Sequence, residues 1–155
     1  MVAMTIPDRS PLKVVTQEVV AGVQVTESTD GKRMARIIIA DDDELLGAVA
    51  RDALIAAGHG AGLITDGAEA LRVIRARRPD LVILDCNMPG LSGVLLLQEL
   101  RKLPDFADLP VMMLTGRRSD RDEELARYAG ANEYVRKPFD PEELVFRVEQ
   151  MLARG

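Results

Sequence analysis

The sequence has little of the material from which metal, haem and disulfide proteins are built. Its 155 residues include one cysteine (Cys86), one histidine (His59) and no tryptophan, and 3% of them are aromatic. A single cysteine excludes an intramolecular disulfide framework and a multi-cysteine zinc site, and a single histidine excludes a cluster of histidine ligands. The composition therefore argues against haem, zinc and iron–sulfur chemistry.

Long hydrophobic runs are also absent. No segment approaches the roughly 18 to 20 apolar residues that cross a bilayer, and the N-terminus lacks the basic and apolar blocks of a secretory signal. We therefore expect a cytoplasmic protein without membrane contact. The net charge of −5 and the scarcity of aromatic residues among the basic ones disfavour direct binding to nucleic acid.

What is present suits one domain with an aliphatic core, since 47% of the residues are hydrophobic. From Met34 onward, short aliphatic runs alternate with amphipathic stretches, the pattern of strand–helix units around a parallel sheet. The predicted strands are 36–40, 61–65, 81–84, 111–114 and 133–136. The predicted helices cover 44–57, the segment that starts after Asp66-Gly67 and finishes before Pro79, 92–102, 119–130, and the segment from Pro141 onward. We predict an α/β fold with a doubly wound sheet of five parallel strands and five helices.

Residues 1–33 lie outside this scheme and are predicted to form an N-terminal extension, while residues 34–155 form the domain. The segment KVVTQEVVAGVQVTES is rich in valine and threonine, whose branched side chains favour extended backbone. It could form a short β-hairpin around Ala21-Gly22, or the extension could be a flexible arm. The sequence leaves both open.

Polar residues follow the predicted strands at one end of the sheet. Asp41 and Asp42 follow the first strand, Asp85 the third, Thr115 the fourth and Lys137 the fifth. Taken singly, each residue type here is commonly a helix cap, a turn residue or a surface charge. In an open parallel sheet, however, ligands gather at the carboxyl ends of the strands. Clustered carboxylates need a counter-ion, and Mg²⁺ accepts both carboxylate and phosphoryl oxygens. The pattern predicts a site for Mg²⁺ and phosphate.

Four successive segments, IIIADDDELL, LVILDCNMPGLSG, VMMLTG and EYVRKPFDPEEL, resemble the signatures of the receiver domain of bacterial two-component response regulators. The resemblance runs from about Arg36 to Leu152, in the order and spacing of the family. It implies a flavodoxin-like fold with strand order 2-1-3-4-5. The chain is similar to single-domain, chemotaxis-regulator-like receivers.

The resemblance also implies roles for individual residues around a metal. Asp85 would be the phospho-acceptor. Asp42 would bind Mg²⁺ directly, Asp41 mainly through water, and the main-chain carbonyl of Asn87 would complete the protein ligands beside Asp85 itself. Lys137 would pair with the phosphoryl group.

Further implied roles concern a conformational switch. Thr115 would hydrogen-bond to the phosphoryl group, and Tyr134 matches the aromatic residue that rotates in response. The Lys137-Pro138 bond is similar to one that the family usually holds in cis, which would aim the lysine amine into the site. The surface formed by the fourth helix, fifth strand and fifth helix would then display the signal.

The implied function is that of a stand-alone response regulator, a signalling phosphoprotein rather than an enzyme, which assists its own phosphorylation and dephosphorylation. A sensor histidine kinase or a histidine phosphotransfer protein would donate the phosphoryl group. A downstream protein would bind the output surface, and phosphorylation could drive homodimerisation. The alternative is a receiver fragment of a larger regulator.

Functions of other classes are disfavoured by particular residues. An aspartyl-phosphate phosphatase usually needs a second acid where this chain has Asn87. A flavin or nucleotide binder needs glycines, not acids, after the first strand. A constitutive scaffold would not need the intact acids and lysine. His59, between two glycines, is interpreted as a loop residue rather than a phosphorelay histidine, and Cys86 as a small filler.

Overall fold

The computed structural model describes residues 34–116, 124 and 127–154, together with the backbone of residues 2–5, 14–20 and 23–28. The N-terminal strands β1 (Val2–Thr5), β2 (Val14–Val20) and β3 (Val23–Ser28) form an antiparallel sheet in that order. β2 and β3 coincide with the two halves of the hairpin alternative, and β1 was not expected. β3 also contacts β5, an edge strand of the larger sheet. The division into an extension and a domain stays a prediction.

The larger sheet contains five parallel strands, as predicted. They are β4 (Arg36–Ala40), β5 (Gly60–Ile64), β6 (Leu81–Asp85), β7 (Val111–Thr115) and β8 (Glu133–Arg136). Their order is β5-β4-β6-β7-β8, which is the predicted order 2-1-3-4-5. The flavodoxin-like fold is therefore confirmed. β5 begins one residue earlier than predicted because the N–H of Gly60 already donates to the carbonyl of Ala35 at 2.9 Å.

The helices cover both faces of this sheet. Those with defined bounds are α1 (Glu44–Ala56), α2 (Gly67–Arg77), α3 (Gly93–Lys102) and α5 (Pro141–Arg154), and a short 3₁₀ turn spans Pro104–Phe106. Residues 124 and 127–129 are helical and belong to α4, whose predicted first residues lie outside the described part of the chain.

The helix starts are fixed by short polar side chains. Asp43, Asp66 and Ser92 each precede a helix and accept a hydrogen bond from a main-chain N–H three residues further on. Asp140, directly before α5, accepts from the N–H of Glu142, two residues further on, at 2.9 Å. Such caps satisfy N–H groups that have no acceptor within the helix.

The core has two halves because successive strand residues point to opposite faces. On one face, residues such as Ile38 and Leu84 pack against α2 and α3. On the other face, residues such as Ile37 and Ile83 pack against α1 and α5. Cys86 is buried in the first of these clusters, in agreement with its interpretation as a small filler. Among the described helices, none combines the length and hydrophobicity needed to cross a membrane.

His59 is more deeply embedded than a loop residue between two glycines suggests. It is 2% exposed. Its Nδ1 accepts from the N–H of Ala35 at 3.2 Å, and its Nε2 lies 3.2 Å from Oε1 of Glu149 in α5. His59 thus joins the start of β4 to α5 at the amino end of the sheet, opposite the predicted site.

Candidate functional site

The topology of the parallel sheet brings the predicted site residues to one edge. β4 ends directly before Asp41, and β6 ends at Asp85. β7 ends at Thr115, and β8 ends directly before Lys137. Because β4, β6, β7 and β8 are successive neighbours, these side chains meet at the carboxyl edge of the sheet, as expected for an open parallel sheet.

Three carboxylates converge at this edge. One oxygen atom from each of Asp41, Asp42 and Asp85 lies within 4.8 Å of the other two. Asp41 is fully buried, Asp85 is 7% exposed and Asp42 is exposed. Two like charges at about 4 Å repel by about 1 kcal/mol in water and several times more inside a protein. The cluster therefore needs positive charge nearby.

Lys137 supplies part of that charge. Its Nζ donates a hydrogen bond to Oδ1 of Asp41 at 2.9 Å, lies 2.8 Å from Oδ2 of the same residue, and lies 3.6 Å from Oδ1 of Asp85. The N–H of Asp43 also donates to Oδ1 of Asp41, at 2.9 Å, so the buried carboxylate is fixed from two sides. The Lys137-Pro138 peptide bond is cis, as the resemblance implied.

One lysine does not neutralise the cluster. Burial, and then the charge of Asp41, raise the pKa of Asp85 to about 7, although Lys137 acts in the opposite direction. Burial lowers the pKa of Lys137, but its hydrogen bond to Asp41 and the neighbouring negative charges together outweigh that effect, so the pKa is raised. The lysine therefore stays charged at neutral pH. A further cation would favour ionised Asp85.

Thr115 offers an unused hydroxyl at the same edge. It is 1% exposed, and its Oγ1 has no hydrogen-bond partner within the described chain. Its carbonyl accepts from the N–H of Lys137 at 2.8 Å, which fixes the loop that carries the lysine. Since a buried polar group without a partner costs about 1–3 kcal/mol, this hydroxyl is suited to bind a ligand.

The main chain at Asp85 is supported by α3. The N–H of Gly93, the first residue of α3, donates to the carbonyl of Cys86 at 3.0 Å. A Cβ on Gly93 would lie 1.9 Å from the carbonyl oxygen of Asp85, so no larger residue fits without displacing the strand end. Gly93 was not predicted from the sequence to be a site residue. The Ser-Gly pair at the start of a leucine-rich helix was the only available signal.

The resemblance implied roles for two further residues, Asn87 and Tyr134. Asn87 is exposed in the loop between β6 and α3. The hydroxyl of Tyr134 donates to the carbonyl of Ala131 at 3.4 Å, and the guanidinium of Arg127 in α4 lies 5.2 Å from the ring centroid. The hydroxyl therefore points toward the amino end of β8, away from Thr115. The metal role of Asn87 and the switch role of Tyr134 stay predictions.

Comparison with known families matches residues 37–149 to the response regulator receiver domain. The chain belongs to this family. The matched part of the receiver domain contains the whole acidic edge, from Asp41 to Lys137.

Named relatives support the same family. The receiver domain is similar to the transcriptional regulatory protein BaeR of Escherichia coli, with 36% identity over 130 residues, which cover 84% of this chain and 53% of BaeR. It is also similar to the DNA-binding response regulator MtrA of Mycolicibacterium smegmatis, with 40% identity over 120 residues, 77% of this chain and 51% of MtrA. The chain thus spans about half the length of the curated relatives it matches.

Solved structures show the same fold. A putative response regulator from Chloroflexus aurantiacus shares 37% identity and a TM-score of 0.73, over 76% of this chain and 97% of that one. The receiver domain of NtrX from Brucella abortus shares 30% identity and a TM-score of 0.71, over 77% of this chain and 99% of that one. The fold of these receivers is therefore present almost in full.

Proposed function

We propose that this receiver domain accepts a phosphoryl group on Asp85 from a phosphohistidine of a sensor histidine kinase or a histidine phosphotransfer protein in the cytoplasm. The observation that carries the proposal is the convergence of Asp41, Asp42 and Asp85 with Lys137 at one edge of the sheet. Acids, a buried hydroxyl and a lysine together provide the nucleophile, the metal ligands, the hydrogen-bond donor and the positive charge of phosphoryl transfer.

The residues present fit Mg²⁺. The donors are carboxylate oxygens, which Mg²⁺ prefers, and they number too few to displace all of its waters. Asp42 would bind the ion directly and Asp41 mainly through water, with Asp85 and the Asn87 carbonyl as further ligands. When bound, the ion neutralises charge on the carboxylates and on the transferred oxygens. Burial first, and then the charge of Asp41, raise the pKa of Asp85, and a bound cation would favour its ionised form.

The mechanism follows from the positions of the side chains. A carboxylate oxygen of Asp85 attacks the phosphorus as the bond to the imidazole nitrogen of the donor breaks, and the electron pair of that bond leaves with the imidazole. Lys137, charged and 3.6 Å from Asp85, stabilises the phosphoryl oxygens. Water later attacks the acyl phosphate and returns the free carboxylate and inorganic phosphate.

Thr115 and Tyr134 would couple phosphorylation to a conformational change at the output surface. The unpartnered hydroxyl of Thr115 would donate to the phosphoryl group, draw the following loop inward and let Tyr134 change position, which shifts an existing equilibrium. A downstream protein, or a second copy of the chain, would then bind the surface formed by α4, β8 and α5. A cavity of about 370 Å³ between β8 and α5, and the 60% exposure of Phe146, support this assignment.

The direct test is phosphorylation with a small donor. Incubation with Mg²⁺ and acetyl phosphate should add one phosphate to the wild type, measured by intact mass, and none to Asp85→Asn. Asp105→Asn is a matched control, because Asp105 is exposed and pairs with Arg78, which caps the C-terminal end of α2. Equal labelling of wild type and Asp85→Asn would place the acceptor elsewhere.

A second candidate is that the receiver controls a DNA-binding portion of a longer regulator. It is favoured by the relatives, which are transcriptional and DNA-binding regulators about twice as long as the matched segment. A stand-alone regulator should appear in cell extracts at 17.0 kDa on an immunoblot raised against this chain. A band of about twice that mass would support the longer regulator. The expectation that the protein does not bind nucleic acid would then no longer hold.

A further inference from the structure

The loop between β6 and α3, residues 86–92, contacts the first turn of α2. This contact does not involve the acidic side chains of the site. Gly67, the first residue of α2, donates its N–H to the carbonyl of Pro89 at 3.0 Å, and the same carbonyl accepts from the N–H of Leu91 at 2.9 Å. An N–H in the first turn of a helix has no acceptor within the helix. The loop therefore supplies an acceptor for a free N–H at the start of α2, and the same hydrogen bond fixes the position of the loop.

The main chain of the loop also occupies the position that a side chain on residue 67 would take. A Cβ on Gly67 would lie 1.8 Å from the carbonyl oxygen of Leu91 and 2.7 Å from its carbonyl carbon. These are main-chain atoms, which cannot rotate away as the end of a flexible side chain can. Beside this contact, a Cβ on Gly90 would lie 2.5 Å from Oδ2 of Asp66. Asp66 is itself fixed, since it accepts from the N–H of Glu69 at 2.9 Å.

The two ends of the same loop are attached to the site. Cys86, directly after Asp85, donates its N–H to the carbonyl of Leu114 at 3.1 Å, and its carbonyl accepts from the N–H of Gly93 at 3.0 Å. With both ends anchored, a displacement near Leu91 must be absorbed by the residues between them. Asn87 is one of those residues.

We propose that Gly67 is a positioning residue for the loop that follows the phospho-acceptor. It lets α2 approach the main chain of Leu91, and this contact sets where the carbonyl of Asn87 lies relative to Asp85. The inference rests on the proposed function, because it assigns Gly67 an effect on the ion and phosphoryl group bound there. Gly67→Ala must increase the separation between the first turn of α2 and the loop by about 1.6 Å, the difference between 1.8 Å and the 3.4 Å at which ordinary contact begins.

The test compares two glycine-to-alanine variants. Gly67→Ala should weaken Mg²⁺ binding, measured by isothermal titration calorimetry, on the order of tenfold, as when support around a metal ligand is lost. It should also speed hydrogen exchange of the peptide covering residues 86–93 in metal-free buffer. Gly47→Ala in α1 is the matched control, because its Cβ would meet only the end of the Leu63 side chain, at 2.6 Å. It should change neither quantity.

Unchanged Mg²⁺ affinity and unchanged exchange in folded Gly67→Ala would overturn the inference, as would equal changes in Gly47→Ala. If Gly67→Ala does not fold, Gly90→Ala displaces the same loop, through the contact with Asp66 and through the positive φ of +80° that Gly90 adopts, and should give the same two changes. The phosphate adduct on wild-type Asp85 tests the proposed function separately. Should that adduct not form, the metal-free exchange measurement still decides whether Gly67 positions the loop.

Discussion

Asp85→Asn should stabilise the fold in metal-free buffer, and the gain should grow with pH. The wild type holds Asp85 beside Asp41 and Asp42, and burial and the charge of Asp41 raise its pKa to about 7. Asparagine has nearly the same shape, can still hydrogen-bond, and carries no charge at any pH. The variant therefore removes the repulsion and keeps the packing.

The sign and size of the stability difference between Asp85→Asn and wild type follow from the linkage between protonation and folding. Between the usual pKa of 3.8 and the folded-state pKa of about 7, the folded protein holds a proton that the unfolded chain has released. The contribution of this group to stability is thus present in full below about pH 4 and is lost as pH rises through 7. About three pKa units correspond to an upper limit of about 4 kcal/mol. Asp85→Asn should match the wild type near pH 4 and exceed it by up to that amount at pH 8.

Urea denaturation in chelator at several pH values measures this difference directly. The control is Asp52→Asn, because the Asp52 side chain is 70% exposed and pairs with the neighbouring Arg51. Its stability relative to wild type should not vary with pH in this range. Adding Mg²⁺ should stabilise the wild type more than Asp85→Asn, since the ion binds only the folded state. A constant difference between Asp85→Asn and wild type from pH 5 to pH 8 would show that ionisation of Asp85 does not destabilise the fold.

The parallel sheet could be predicted from the sequence because strands and helix starts are marked by residues that are close together along the chain. Residues 37–40 are apolar on both faces, as expected of a strand that is covered on both sides. Asp43, Asp66 and Asp140 mark the helix starts by local hydrogen bonds. The acidic edge could also be predicted, since the residues that follow parallel strands must meet.

Contacts between distant segments could not be predicted in this way. Nothing near His59 in the sequence indicates Glu149, 90 residues away, and a loop between glycines gave no sign of burial. The close approach of Gly67 to Leu91 likewise depends on how α2 sits on the sheet. β1 was missed because a four-residue strand carries too little pattern to distinguish it from an arm.

Three further predictions concern single side chains. Thr115→Val should be at least as stable as the wild type in urea denaturation, because it removes a buried hydroxyl that has no partner within the described chain. The variant should nevertheless lose any phosphorylation-dependent change in the hydrogen exchange of α4. Lys137→Met should keep the stem and leave Asp41 buried without its cation, which should lower the metal-free unfolding free energy by about 3 kcal/mol, with Mg²⁺ restoring part of it. A metal-free stability equal to wild type would contradict that role. His59→Ala should lose about 2–3 kcal/mol of stability, because the buried ring makes one buried and one part-buried hydrogen bond. Its Mg²⁺ affinity by calorimetry should not change, since His59 lies at the opposite end of the sheet, and a large loss of affinity in the folded variant would show that the two ends are coupled.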